Sequence, residues 1–290
     1  MSLALLSFAL ALHLPSTSRA AETSRRDRLL FTTLVAGRYN PIGADAQGSL
    51  VFERPIGASD DVMLKTRFWS IGATGTYNPA EWSGSIAAEI EPLAVFQLRG
   101  LFEYRGYSGA FGEILSYGDV LAPIDDTSLR AAAELGLNYP TWRTTLRLEP
   151  KLRLAVGPIG IQNVFGINYG YVAVRDPAHN VYYDPAQDLL MPADGITFSN
   201  QLSVAYLGGP LTVGGLYDFI APRGLGAANH VHRLGPFAAY TFFDNPKAWI
   251  NKPTLFAMAN FNLVHRGRAG LVPTVIAGIS TETDFLHPRW

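Results

Sequence analysis

The chain has 290 residues, no cysteine and a formal net charge of −1; 48% of it is hydrophobic and only 16% charged. Near-zero charge without a basic block argues against a nucleic-acid partner, and no apolar run reaches the length of a transmembrane helix. Hydrophobicity without long runs is what alternation along membrane-crossing strands produces.

In chain order, residues 1–20 read as a secretory signal: an apolar core at 3–14, then Pro15, then Ser18-Arg19-Ala20 as a small-x-small cleavage site. The departure is an n-region without Lys or Arg. Residues 21–28 follow as a short polar arm on the periplasmic side, and 29–290 read as a single barrel domain.

Strand candidates then succeed one another, each bounded by turn residues. They are 29–39, 47–54, 63–77, 81–90 and 95–105. In 81–90, Trp82, Gly84, Ile86, Ala88 and Ile90 alternate with Glu81, Ser83, Ser85 and Glu89. In 95–105, Phe96, Leu98, Phe102 and Tyr104 oppose Gln97, Arg99, Glu103 and Arg105. The strongest signal is 142–156. Its even positions carry Trp142, Leu146, Leu148, Leu152, Leu154 and Val156, and its odd ones Arg143, Arg147, Glu149, Lys151 and Arg153. Strict period-2 alternation is a strand with two unlike faces. After the break at Gly157-Pro158 a second run, 159–172, sets Ile161, Phe165, Ile167 and Tyr171 against Gly160, Gln162, Gly166 and Asn168. At ~3.3 Å per residue each run crosses a bilayer even when tilted. Candidates 196–207, 211–220, 232–243, 252–264 and 271–281 complete the chain.

One stretch is ambiguous. Leu129 to Tyr139 alternates passably, yet Asp125-Asp126-Thr127 is a helix-capping cluster followed by strong helix formers. Counting it as a strand gives thirteen; counting it as a helix gives twelve. Single-chain bacterial barrels have even strand numbers, short periplasmic turns and longer outer loops. With twelve strands and a periplasmic N-terminus, the two long segments, 106–141 and 173–195, both fall outside. The expectation is therefore an all-β fold: a transmembrane antiparallel β-barrel of about 12 strands, with a short helix in a long outer loop. Tyr39, Tyr77, Trp82, Tyr104, Trp142 and Tyr171 then lie at outer strand ends, and Tyr206, Phe242, Phe243 and Trp249 at inner ends, as interfacial girdles.

With motifs such as Glu91-Pro-Leu-Ala-Val-Phe-Gln-Leu-Arg99 and Tyr107-Ser-Gly-Ala-Phe111, the chain resembles mid-sized outer-membrane β-barrel proteins of Gram-negative bacteria. The resemblance implies outer-membrane lipid, lipopolysaccharide and the barrel-assembly machinery as partners, and carries over no functional residue. Such barrels often end on an aromatic read during assembly; Trp290 fits, although His287-Pro288 interrupts the strand before it, and Phe285 is the alternative.

The inward parity is where chemistry is expected. Glu81, Glu89, Arg99, Glu103, Arg105, Arg143, Arg147, Glu149, Lys151 and Arg153 form a charged wall. It reads either as the lining of a pore for small polar solutes or ions, or as a cross-strand ion-pair ladder that fills the barrel. A plugged structural or surface-interaction barrel is the alternative function, and a rim hydrolase a third. That third reading requires His230, His232 or His265 within reach of a Ser or Asp. Asp176, Asp184, Asp188 and Asp194 match no calcium motif and read as solvated loop acids. No motif calls for a catalytic residue, a metal or a cofactor.

Overall fold

The computed structural model describes residues 26–40, 42–57, 59, 61–109, 114–226, 229–245, 250–268 and 272–286. The signal segment 1–20, most of the polar arm, Trp249 and Trp290 lie outside these.

Twelve strands close into an antiparallel barrel. They are β1 (Arg28–Tyr39), β2 (Gly43–Pro55), β3 (Phe68–Tyr77), β4 (Glu81–Leu93), β5 (Phe96–Tyr107), β7 (Thr141–Val156), β8 (Ile159–Val172), β11 (Asp194–Gly208), β12 (Leu211–Pro222), β13 (Val231–Thr241), β14 (Thr254–Val264) and β15 (Thr274–Asp284). Neighbours in sequence are neighbours in space. The ring closes where β1 pairs with β15, from Leu30↔Asp284 to Tyr39↔Val275. Closure satisfies every strand edge, the condition for backbone to cross hydrocarbon. Alternation decides which side faces where: along β7, Arg143, Thr145, Arg147, Glu149 and Lys151 are buried while Leu146, Leu148, Leu152 and Leu154 are exposed. Exposed Leu, Ile, Val and aromatic side chains recur on the outward parity around the ring. This is an apolar jacket on a closed barrel, and the molecule is an integral outer-membrane β-barrel.

Turns of two residues, 157–158 and 209–210, stand at one end. Positive φ at Gly157 (58°) and Gly209 (68°) makes these reversals possible. The long connections 108–140 and 173–193 stand at the other end, with 223–230 and 265–273. Barrels of this class carry their longer loops outside the cell.

Several strand ends differ from the sequence reading, β2 starting at Gly43 rather than 47 and β15 running Thr274–Asp284 rather than 271–281, and two differences have a clear local cause. The third strand begins at Phe68, not at 63, because Asp61 captures the Met63 N–H (2.8 Å) on its carboxylate and the Leu64 N–H (3.0 Å) on its carbonyl. A turn thus replaces extended chain. The ambiguous stretch contains helix α1 (Asp126–Glu134). Its N-cap Asp125 accepts from Thr127 N and Ser128 N, and Gly136 (φ 67°) ends it.

The long loops also hold structure that alternation did not reveal. β6 (Ser116–Tyr117), β9 (Val181–Asp184) and β10 (Leu189–Pro192) form a separate three-stranded sheet in the order β10-β9-β6. One face packs Tyr182, Leu189 and Met191 against Tyr107, Val172, Ile220 and Val231 at the ends of four barrel strands. The other packs Tyr183 and Leu190 against Leu115, Ala122 and Ile124, with Leu129 and Ala132 of α1 beside them. The sheet is thus a plug seated in the long-loop end of the barrel.

Candidate functional site: the barrel interior and its plug

Below the plug, β4, β5 and β7 carry the charges singled out from sequence, all on the inward parity. Arg105 donates to both Glu81 oxygens (2.9 and 3.0 Å) and also pairs with Glu103 (3.1 Å). Glu149 sits between Arg147 (3.4 Å) and Arg99 (3.3 Å). Arg153 pairs with Glu91, which also accepts from Thr66 (2.6 Å). Gln97 donates to Glu89. Register explains these meetings: Arg99 lies directly across from Glu89 on one side and Glu149 on the other. Lys151 is 5% exposed and, among the described residues, makes no ion pair within 4.0 Å. Arg143 alone reaches upward, to Asp184 of the plug.

Sequence reasoning missed several inward charges. Arg28, Glu53, Glu282 and Lys252 gather near the short turns, with Arg28–Glu53 at 3.3 Å and Lys252 bonded to Glu282. Asp218 and Arg233 pair at 3.2 Å on β12 and β13. Asp218 and Arg233 are each the lone inward charge of a strand whose other inward residues are mostly small or apolar, so no alternation announces them. A second wall was missed entirely. Leu34, Leu216, Phe237, Phe256, Met258 and Ile276 form one inward apolar cluster on β1 and β12 to β15. In the ring order β13, β14 and β15 stand six places from β4, β5 and β7, so this wall is diametrically opposite the charged one.

The plug is fastened by charge. At the tip of the β9–β10 hairpin, Asp184 accepts from Ala186 N (2.9 Å) and Gln187 N (3.2 Å) and from the Arg143 guanidinium. Arg233 donates to the Gln187 carbonyl. Asp188 receives Arg268 (2.7 and 3.1 Å), Tyr183 OH (2.7 Å) and the His265 ring at 3.3 Å. Burial alone would raise the Asp188 carboxyl, but His265 and Arg268 hold it well below the usual carboxylate range. Burial, then the Asp188 charge, pushes the Tyr183 phenol up. Asp184 and Asp188 are therefore not the solvated loop acids the sequence suggested; they close turns and meet cations that lie far away in the chain. Among the described residues no three His, Asp or Glu side chains gather as a metal site.

Among the described residues the histidines give no catalytic arrangement. His232 contacts Tyr217 OH (2.6 Å) and meets His230 edge-on, while the His265 side chain is fully buried on Asp188. Ser116 Oγ and His179 Nδ1 meet at 2.8 Å, but Asp176 stands 3.8 Å from the other ring nitrogen and spends an oxygen on Ala178 N. That distance exceeds the hydrogen-bond reach a relay needs.

The predicted girdle residues among those described lie on the outer surface. Trp82, Tyr104, Trp142 and Tyr171 form a continuous aromatic row across β4, β5, β7 and β8, with centroids 5.5–5.9 Å apart. Tyr39, Tyr77, Tyr206 and Phe242 are exposed at strand ends or just beyond them.

No protein-family model matches this chain, and no curated protein matches it either. Solved structures to which it is similar include the translocator domain of autotransporter NalP from Neisseria meningitidis (10% identity, 96% of each chain, TM-score 0.42). They also include the NanC porin (8% identity, 87% of this chain and 98% of that one, TM-score 0.44). A third is the KdgM porin (7% identity, 87% and 97%, TM-score 0.40). All are barrels of the same membrane, and at these values they add no argument to the one made from closure, alternation and the apolar jacket.

Proposed function

We propose that this barrel is a passive channel for small polar solutes or ions, closed at rest by its own β6–β9–β10 sheet. The observation that carries the reading is how the plug is held. Among the described residues its strands join no barrel strand in a ladder, and its hairpin tip is held by side-chain contacts from Arg143, Arg233, His265 and Arg268. Such a fastening can release without breaking the barrel. Beneath it the charged wall of β4, β5 and β7 lines the path, and rings of fixed charge set ion selectivity in pores. Residence in that membrane brings lipopolysaccharide and the barrel-assembly machinery as partners.

Lys151 is the residue to test, since no ion pair depends on it. In a barrel opened by removing the hairpin, Lys151→Glu is expected to shift the reversal potential toward cation selectivity in planar bilayers. An unchanged reversal potential would show that this wall does not line the path.

A second reading is a permanently plugged barrel that acts through its outer loops. The two apolar clusters on either face of the plug favour it, because packed apolar faces resist release.

A further inference from the structure

The outward row of β8 reads Ile159, Ile161, Asn163, Phe165, Ile167, Tyr169 and Tyr171, and that of β11 includes Phe198, Asn200, Leu202, Val204 and Tyr206. Each strand interrupts its apolar row once, with an asparagine. On β8 the interruption is an inversion, since Val164 takes the inward place that parity would give to a polar residue. A bulge would restore the alternation by turning Asn163 inward. None is present: β8 and β11 pair without a break from Ile159↔Tyr206 to Tyr171↔Asp194. Both amides are therefore held on the membrane face, among exposed Phe165 and Leu202.

Asn200 lies six residues from the girdle residue Tyr206 and six from Asp194 at the opposite end of β11, so it sits near the middle of the span. The two amides exchange bonds: Asn163 Nδ2 donates to Asn200 Oδ1 (3.2 Å) and Asn200 Nδ2 to Asn163 Oδ1 (3.0 Å). This uses one N–H and one acceptor site on each and leaves the other N–H and the other lone pair of each. Among the described residues, no other amide side chain of the barrel strands has outward parity.

We propose that the face made by β7, β8 and β11 is an interface with a second copy of this chain, centred on the Asn163–Asn200 pair. Polar groups in hydrocarbon are costly and act as glue between membrane segments. An acyl chain offers neither donor nor acceptor, so lipid cannot satisfy what the pair leaves over. A second copy of the same pair offers both in equal number. A two-fold axis parallel to the barrel axis and passing through this face sets the pair against its own copy, because the same patch meets itself in an isologous contact. Leu152, Phe165 and Leu202 surround the amides with an apolar rim. The inference does not depend on whether the lumen conducts.

The native chain has no cysteine, which makes the test clean. Leu202→Cys would place a single thiol beside the amides, and Leu50→Cys one on the distant β2. Both full-length proteins would be oxidised in their native membrane and run beside the heat-modifiable folded form. The expected result is a disulfide dimer from Leu202→Cys and none from Leu50→Cys. Adding Asn163→Leu and Asn200→Leu to Leu202→Cys should cut the dimer at least tenfold while the folded barrel persists. Three results would each overturn the proposal: no cross-link at Leu202→Cys, cross-linking at Leu50→Cys instead, or dimer unchanged by the two leucines. Should the double leucine barrel not fold, Asn200→Ser alone gives the same readout with a polar group retained.

Discussion

On β4, β5 and β7 the inward side chains include Glu81, Glu89, Arg99, Glu103, Arg105, Arg143, Arg147, Glu149, Lys151 and Arg153, alternating with outward residues that include Leu, Ile and Phe. Across the lumen, the inward side chains of β13, β14 and β15 include the cluster Phe237, Ala239, Phe256, Met258 and Ile276. Both walls are inside one ring, yet they are stabilised differently. The first relies on mutual neutralisation, so most members depend on a charged partner on the same strand, the next strand or the plug. The second relies on contact area, so each member depends on volume. A charged wall is therefore brittle to single substitutions and an apolar one degrades by degrees.

The largest effect that would sharpen this contrast is at Arg105, the guanidinium shared by Glu81 and Glu103. Arg105→Ala is expected to cost about 3–5 kcal/mol, because it strands buried carboxylates. Urea unfolding followed by tryptophan fluorescence would measure it; a loss below about 1 kcal/mol would mean that the lumen solvates those acids freely. Leu216→Ala on the apolar wall should cost about 3 kcal/mol, through lost burial and the cavity left behind. If the two substitutions cost the same when salt is raised and lowered, the distinction between the walls fails, since only the charged one is open to screening.

These two walls also explain what was legible in the sequence. Alternation is visible where the faces differ, and on β7 every inward residue from Arg143 to Arg153 is polar while the outward ones include six leucine, tryptophan or valine side chains before the turn. Strand number and the charged wall follow from that. On β13 and β14, Phe237-Ala-Ala-Tyr240 and Leu255-Phe-Ala-Met258 are apolar on both sides, so parity carries no direction and the second wall was invisible. The plug escaped for another reason. Val181–Asp184 is four residues long and wholly buried, too short and too uniform to show a period. Its fastenings join residues far apart in sequence, such as Asp188 and Arg268, which no local pattern announces.

A smaller effect belongs to the aromatic row. Tyr104 lies between Trp82 and Trp142, and Tyr104→Leu should cost about 1 kcal/mol through lost ring contacts while keeping most of the apolar area. A neutral result would reduce the row to generic lipid contact.

The smallest expected effect is that of mild acid on the plug. The folded carboxyl of Asp188 titrates below its unfolded value, so its contribution is complete above the ordinary carboxylate range. It is lost only as pH falls through that depressed value. Hydrogen exchange across β9 and β10 should therefore be no faster at pH 5 than at pH 7 once the intrinsic rate is corrected. Release at pH 5 would show that Asp188 is not the anchor.

The central claim is a channel closed by its own loops, and single-channel recording tests it most directly. The refolded wild-type barrel would be compared with one in which residues 181–192 are replaced by a short Gly-Ser linker, both shown to be folded by heat modifiability. The account predicts rare, brief openings for the wild type and steady conductance for the variant. A folded, hairpin-less barrel that never conducts, or a wild type that conducts as freely as the variant, would contradict it.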